Sequence, residues 1–435
     1  EDHPELYRCS QQDGLEKILG YMSMKTEAVV LKLTGNALFD AGFRIPGDTD
    51  WQAVYEECKK QTVTVLGFSS AKQAEGLDPE VRKQWEKDVA AVAFHNYRVT
   101  FSHQNLHQMM EDAGIPYVIL KGCASAAYYP RPMERLMGDV DFLVCKPDLE
   151  RAGKVLEDNG FRPWEEEHIC HIVYRNDTEH LEMHFEPAGV PYGKAGEICR
   201  EYFRDIYEQS QLIDYEGGQL RVPSAFHHGL VLLLHTSHHM LGEGIGLRHL
   251  CDWAVFAASF SEKEFRSIFE EKLKRIGLWK FACILTRTAE RYLGCPKRGW
   301  AADPVVFRGD AEADELTRKV IRDIFTGGNF GRKQEGRVYE TYLISSRGKD
   351  GVGRTSMPLQ AVKSVNEMVY THWPLAKRMK FLLPAGWAYY CTRYLIRIAT
   401  GKRAPIHLRE LGERARERRN VYEKFGLYEV EKDSL

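Results

Sequence analysis

The sequence predicts an α+β protein in which a small mixed sheet is embedded between mainly α-helical regions. Three observations carry this reading. Apolar residues recur at helical spacing up to residue 113 and again beyond residue 190. Residues 114–190 break instead into short apolar runs separated by turn residues. Hydrophobic residues at 43% and charged residues at 28% are ordinary globular values, so 435 residues can fill two or three domains without a disulfide or zinc staple.

The elements follow in order. In the first region, EAVVLKLTGNALF, DWQAVYEECKKQTVTVLGFSSA and WEKDVAAVAFHNYRVTFSHQNLHQMMEDAG each read as helix, and Gly114 closes the last. In the middle region PYVIL reads as a short buried strand, CASAAYY as a short helix and DVDFLVC as a second strand. Pro147 opens a helix over PDLERAGKVLEDNG that ends at Gly160. FRPWEE, HICHIVYRN and EHLEMHFEP then read as strands, the last two joined at Asn176 and Asp177 as an antiparallel hairpin. Beyond residue 190, AFHHGLVLLLHTSHHM, LRHLCDWAVFAASF and LWKFACILTRTAERYLG are helical, with loops expected over 326–336 and 345–356. The expected division is therefore 1–113, 114–190 and 191–435.

Composition excludes several roles. With 60 basic against 62 acidic residues, extended nucleic-acid binding is not expected. The tail over 402–419 carries seven basic and three acidic residues and reads first as a solvated helix. The 10 cysteines include no C-x-x-C pair, as expected of reduced thiols in a cytoplasmic protein. The chain opens without a basic-then-apolar leader, and the apolar stretch 381–399 is interrupted by Arg393 and Arg397. Neither secretion nor membrane spanning is expected.

The chemistry concentrates in residues 118–144, VILKGCASAAYYPRPMERLMGDVDFLV. Alternation along a strand puts Asp139 and Asp141 on one face and Val140 and Phe142 on the other. Two carboxylates so placed repel unless a cation sits between them, and hard oxygen ligands favour Mg²⁺ or Mn²⁺. A later strand, HLEMHFE, alternates Leu181, Met183 and Phe185 with Glu182, His184 and Glu186. Two-metal phosphoryl transfer uses about three carboxylates; Glu182 is the first candidate for the third and Glu186 the second, with His184 as substrate contact or supporting hydrogen bonder. Lys121-Gly122 lies where a strand passes into a helix, so Gly122 and the N–H groups from Cys123 to Ser125 can meet a phosphate, with the Ser125 hydroxyl and the Lys121 charge beside them. Arg135, four residues before Asp139, is placed to reach the same phosphates or to pair with Glu134 or an aspartate. Lys121 can equally snorkel from a strand end.

His235 and His239 stand four apart on a helix, but Thr236 occupies the position where H-E-x-x-H needs its glutamate, so they read as core or supporting histidines near the substrate. Asp252 is a charge on an otherwise apolar helix and needs a partner, for which Arg248 is expected. GGNFGRK, residues 327–333, lacks phosphate-loop spacing and reads as a turn.

The order of strand, K-G, short helix, Y-Y-P, M-E-R and G-D-V-D-F-L-V resembles the uncharacterised nucleotidyltransferase family of the DNA polymerase beta-type superfamily. LEMHF resembles its third-carboxylate strand, LLLHTSHHM and GLRHLCDWAVF its following helices, and GGNFGR and LLPAGW its distal elements. The resemblance implies a small nucleotidyltransferase core that transfers a nucleoside monophosphate from a nucleoside triphosphate to an acceptor hydroxyl, with Mg²⁺ on Asp139, Asp141 and Glu182. The superfamily's Gly-Ser pair stands here as Lys121-Gly122-Cys123, which weakens Ser125 as the equivalent serine. The acceptor is open among antibiotic, sugar, protein side chain and transfer RNA, as are the donor base and the oligomeric state. The alternative is a catalytically silent nucleotide-binding or protein-interaction module of the same fold.

Overall fold

The computed structural model describes residues 25–164, 170–329, 337–345, 356–400 and 408–430. Its N-terminal helices are α1 (Lys25–Phe39), α2 (Trp51–Lys60), α3 (Thr64–Ala71) and α4 (Pro79–Asp112). The segment expected as one helix from Asp50 to Ala71 is two, because Thr62 adopts a left-handed backbone with φ of 59°. Asp50 caps α2 through the amide of Ala53, and Asp78 caps α4 through those of Glu80 and Val81, with Pro79 in the first turn where no N–H is needed. Gly114, at φ of +60°, ends α4 as expected.

The sheet contains β1 (Tyr117–Ile119), β2 (Val140–Val144), β3 (Arg162–Pro163), β4 (His171–Arg175) and β5 (His180–His184), in the order β1-β2-β5-β4-β3. Between β1 and β2 lies α5 (Cys123–Ala126), and α6 (Leu149–Asp158) follows β2 after a 3-10 turn that holds Pro147. β2 and β5 run parallel while the other pairs are antiparallel, so the sheet is mixed as the sequence predicts. The β4–β5 hairpin is also as expected: the Asn176 side chain accepts from the amides of Thr178 and Glu179, an Asx turn that reverses the chain. The parts of the expected strands and loops that fall on 165–169, 330–336 and 346–355, and the first part of the basic tail at 402–407, lie outside the described residues.

One departure follows residue 190. After α7 (Gly193–Tyr202), a separate hairpin of β6 (Gln211–Tyr215) and β7 (Gly218–Val222) stands where mainly helix was expected. Glu216 and Gly217 both take positive φ, the twist that suits a tight hairpin. Helices α8 (Ala225–Leu241), α9 (Leu247–Ala258) and α10 (Trp279–Leu293) then follow, and the basic tail ends in a helix over Leu408–Phe425. Among the described residues, no helix is long and apolar enough to cross a membrane.

The two faces of the sheet enter two different cores. Tyr117, Ile119, Phe142 and Val144 pack with Leu106 and Met110 of α4 and with Ala152 and Leu156 of α6. Val118, Leu120 and Leu143 face the other way and join the large core shared by α1, α8, α9 and α10. Asp141 alternates with Phe142 and so lies on this second face.

Candidate active site

A cleft of about 370 Å³ separates the second face of the sheet from α8 and α9. Its sheet wall is set by strand register. Asp141 on β2 is the Cα partner of Glu182 on the parallel strand β5, and His171 on β4 is the partner of His184 on β5. The ligand atoms of Asp141, Glu182 and His184 lie within 4.8 Å of one another. Lys121, just past β1, donates to Asp141 Oδ1 at 2.9 Å, and His184 Nε2 lies 3.1 Å from the same oxygen and 3.4 Å from Glu182 Oε2.

These contacts decide the charges. Burial pushes Asp141 up, but the Lys121 ammonium and His184 outweigh it and hold the carboxyl well below its ordinary range. Burial also opposes charge on Glu182, yet the hydrogen bond from His184 keeps it below its usual value. Burial disfavours the His184 imidazolium, but its hydrogen bond to Asp141, the nearby Cys170 sulfur and Glu182 lift it to about 10. Two ionised carboxylates are thus held side by side by a lysine and a histidine. Their oxygens are a donor set that fits a hard divalent cation.

The remaining sequence candidates fall in different places. Asp139, immediately before β2, lines the cleft, but its side chain is 52% exposed and Oδ1 lies 3.1 Å from His180 Nδ1. Among the described residues it belongs to no group of three potential metal ligands. β5 ends at His184, and Glu186 beyond it accepts from Arg200 Nε at 2.5 Å, outside the cleft lining. Gly122 lines the cleft at φ of +61°, but a Cβ there would come within 2.6 Å of His103 Nε2, so one clear demand for glycine comes from a side chain of α4. Cys123 packs its thiol 3.7 Å from Met137 Sδ in the core under the sheet. The Ser125 hydroxyl is buried and unpartnered, and neither residue lines the cleft.

The opposite wall is helical. Asp252 of α9 was expected to pair with Arg248; it is instead clamped by Arg135, whose Nε and Nη2 donate to its two oxygens at 2.7 and 2.8 Å, while the Tyr129 hydroxyl donates at 2.6 Å. The reason is geometry: a guanidinium arriving from across the cleft presents two parallel N–H groups to the carboxylate. Arg135 is thereby held in the cleft wall, and Glu134 is taken by Arg131. Burial opposes ionisation of Asp252, but Arg135 more than offsets it and keeps the carboxyl below its ordinary range. Arg248, released from that role, donates through Nη1 to the Leu136 carbonyl at 2.9 Å and lines the cleft. His235 and His239 of α8 cluster with His249 of α9, with ring centroids 4.4 to 5.8 Å apart. Burial pushes all three well down, which favours the neutral form of these imidazoles.

Sequence reasoning overlooked Cys170, His171 and His249 as cleft residues and treated Arg248 only as an ion-pair partner. One signal was present. With the hairpin turn placed after Arg175, antiparallel pairing of Arg175 with His180 puts His171 opposite His184.

Comparison with known proteins adds one finding. A family described as an uncharacterised nucleotidyltransferase matches residues 47–294, which includes every residue of the cleft named above. No curated protein matches the chain.

Proposed function

The chain belongs to this uncharacterised nucleotidyltransferase family, and from that premise we propose that its cleft, with the help of Mg²⁺, transfers a nucleoside monophosphate from a nucleoside triphosphate to an acceptor hydroxyl and releases pyrophosphate. The observation that carries this reading is the register of Asp141 against Glu182 on parallel strands, which sets two ionised carboxylates on one buried face. Asp141 and Glu182 would hold the metal, with Asp139 at the rim as the outer ligand. A bound Mg²⁺ neutralises the triphosphate and lowers the pKa of the acceptor hydroxyl.

The protein's own groups complete the task by positioning and charge. Lys121, which contacts Asp141 at 2.9 Å, would be free to meet a phosphate oxygen with the metal on that carboxylate. Arg248 offers its remaining guanidinium N–H groups from the opposite wall. Glu182 accepts the proton of the attacking hydroxyl at a carboxylate oxygen, and His184 steadies both carboxylates through Nε2. The described cysteines are all free thiols, which supports a reducing, cytoplasmic setting.

The test is incubation of the full-length protein with each labelled nucleoside triphosphate, Mg²⁺ and candidate acceptors, with mass spectrometry of small molecules and of the chain. An adduct of nucleoside-monophosphate mass that disappears in Asp141→Asn is expected. Binding of a nucleotide without turnover under every acceptor would replace transfer by a silent nucleotide-binding module, a reading favoured by the Lys121 ammonium already neutralising Asp141.

A further inference from the structure

Beside the carboxylates lies a second group of donors of a different kind. Cys170, His171 and His184 each offer a ligand atom within 4.8 Å of the others. The Cys170 thiol lies 3.6 Å from His171 Nδ1, and the rings of His171 and His184 are 4.8 Å apart. The backbone fixes this arrangement: His171 and His184 are paired across the hairpin, and the Phe185 amide donates to the Cys170 carbonyl at 2.9 Å. His184 has a side chain only 1% exposed, with Nε2 turned to Asp141. Its other nitrogen, Nδ1, is buried without a hydrogen-bond partner. An orphaned buried nitrogen costs free energy unless something occupies it.

We propose that Cys170, His171 and His184 form a zinc site adjacent to, and separate from, the carboxylate pair. A thiolate and two imidazoles select a thiophilic divalent ion over Mg²⁺, whose preferred ligands are hard oxygens. Binding forms the Zn–S bond and the Zn–N bond to His184 and displaces the Cys170 thiol proton and the Nδ1 proton of the His184 imidazolium, both of which leave to solvent. The ion on His184 Nδ1 fixes the ring hydrogen on Nε2, where it donates to Asp141, the carboxylate–histidine–metal arrangement that orients a ligating imidazole. Three protein ligands leave a fourth position for water. The zinc site does not depend on nucleotidyl transfer. It gives the chain a mixed pair of metal positions, one hard and one soft, joined through a single imidazole.

The experiment uses the full chain, stripped with a chelator and titrated with Zn²⁺ alone and with Co²⁺ as a spectroscopic probe. Uptake of about one zinc per chain, undisturbed by excess Mg²⁺, and a thiolate-to-cobalt charge-transfer band are expected. Cys170→Ser and His171→Asn should each weaken zinc retention by at least about 100-fold and remove or shift that band, while Cys145→Ser, away from the cleft, leaves both intact. Near-ultraviolet circular dichroism checks that each variant is folded. The Asp141→Asn protein should keep the thiolate band and lose zinc affinity by about 10-fold. A cobalt complex without a thiolate band, or zinc retained in folded Cys170→Ser, would overturn the proposal.

Discussion

The two walls of the cleft each centre on an acid–base pair, and the pairs are built to opposite ends. On the helical wall, Arg135 and Asp252 meet in a two-pronged contact with both side chains below 10% exposed, and Tyr129 fills a further lone pair. On the sheet wall, Lys121 meets Asp141 through one oxygen, shares it with His184, and remains 18% exposed. A guanidinium fork satisfied on every side is a fixture. An ammonium on a flexible stem, sharing its acceptor, is exchangeable. The contrast teaches that burial alone does not mark a reactive group: Asp252 and Asp141 are equally buried, and only Asp141 can trade its partner for a cation without leaving a charge stranded.

The sharpest break of this contrast removes each carboxylate in turn. Asp141→Asn should lower nucleotidyl transfer by about 10³-fold or more, read as kcat/KM, with a smaller loss of stability than at Asp252 because the partly exposed Lys121 ammonium can turn to solvent. Asp252→Asn should do the reverse: it strands the Arg135 guanidinium and costs about 3–5 kcal/mol in urea unfolding. The double change of Arg135→Met with Asp252→Leu should recover much of that loss, because no charge is then left unpaired. An Asp252→Asn protein of full stability would show that the helical wall is not a fixture.

Smaller effects refine the same picture. Gly122→Ala combines a left-handed backbone with a Cβ 2.6 Å from His103 Nε2, and about 1–3 kcal/mol of destabilisation is expected in thermal or urea unfolding. Arg248→Met should raise KM for the triphosphate by about 10-fold, the loss of one charge-assisted hydrogen bond, with kcat nearly kept; an unchanged KM would remove Arg248 from the phosphate contacts. Glu186→Gln, which touches only the surface pair with Arg200, should stay within about 0.5 kcal/mol of the parent and leave transfer intact.

The strands and the carboxylates were legible in the sequence because period-2 alternation is local: Asp141 and Glu182 could be assigned to polar faces before any pairing was known. What alternation cannot say is where a strand stops, and β5 stops at His184, with Glu186 beyond it and outside the cleft lining. The partner of Asp252 was misread because helical spacing proposes only neighbours on the same helix, whereas Arg135 arrives from 117 residues away. Cys170 and His171 escaped because they gain meaning only opposite His184, across a hairpin whose register rests on the Asn176 turn. The β6–β7 hairpin was missed for a plainer reason: Glu216-Gly217 is a turn signal lying within a region whose overall apolar pattern reads as helix.

The register of Asp141 with Glu182 also has a history in time. The His184–Asp141 contact closes 43 residues of chain and the Arg135–Asp252 clamp closes 117. Contacts of such separation form late, after local helices and hairpins. A chain emerging from synthesis therefore carries both carboxylates long before it has a cleft to put them in, and no anionic ligand has two walls to grip until α9 has docked. Capture of a nucleotide between the two walls is accordingly a signal that the whole fold from α4 to α9 has closed. Pulse-labelling during refolding would see ligand protection arrive with the final phase.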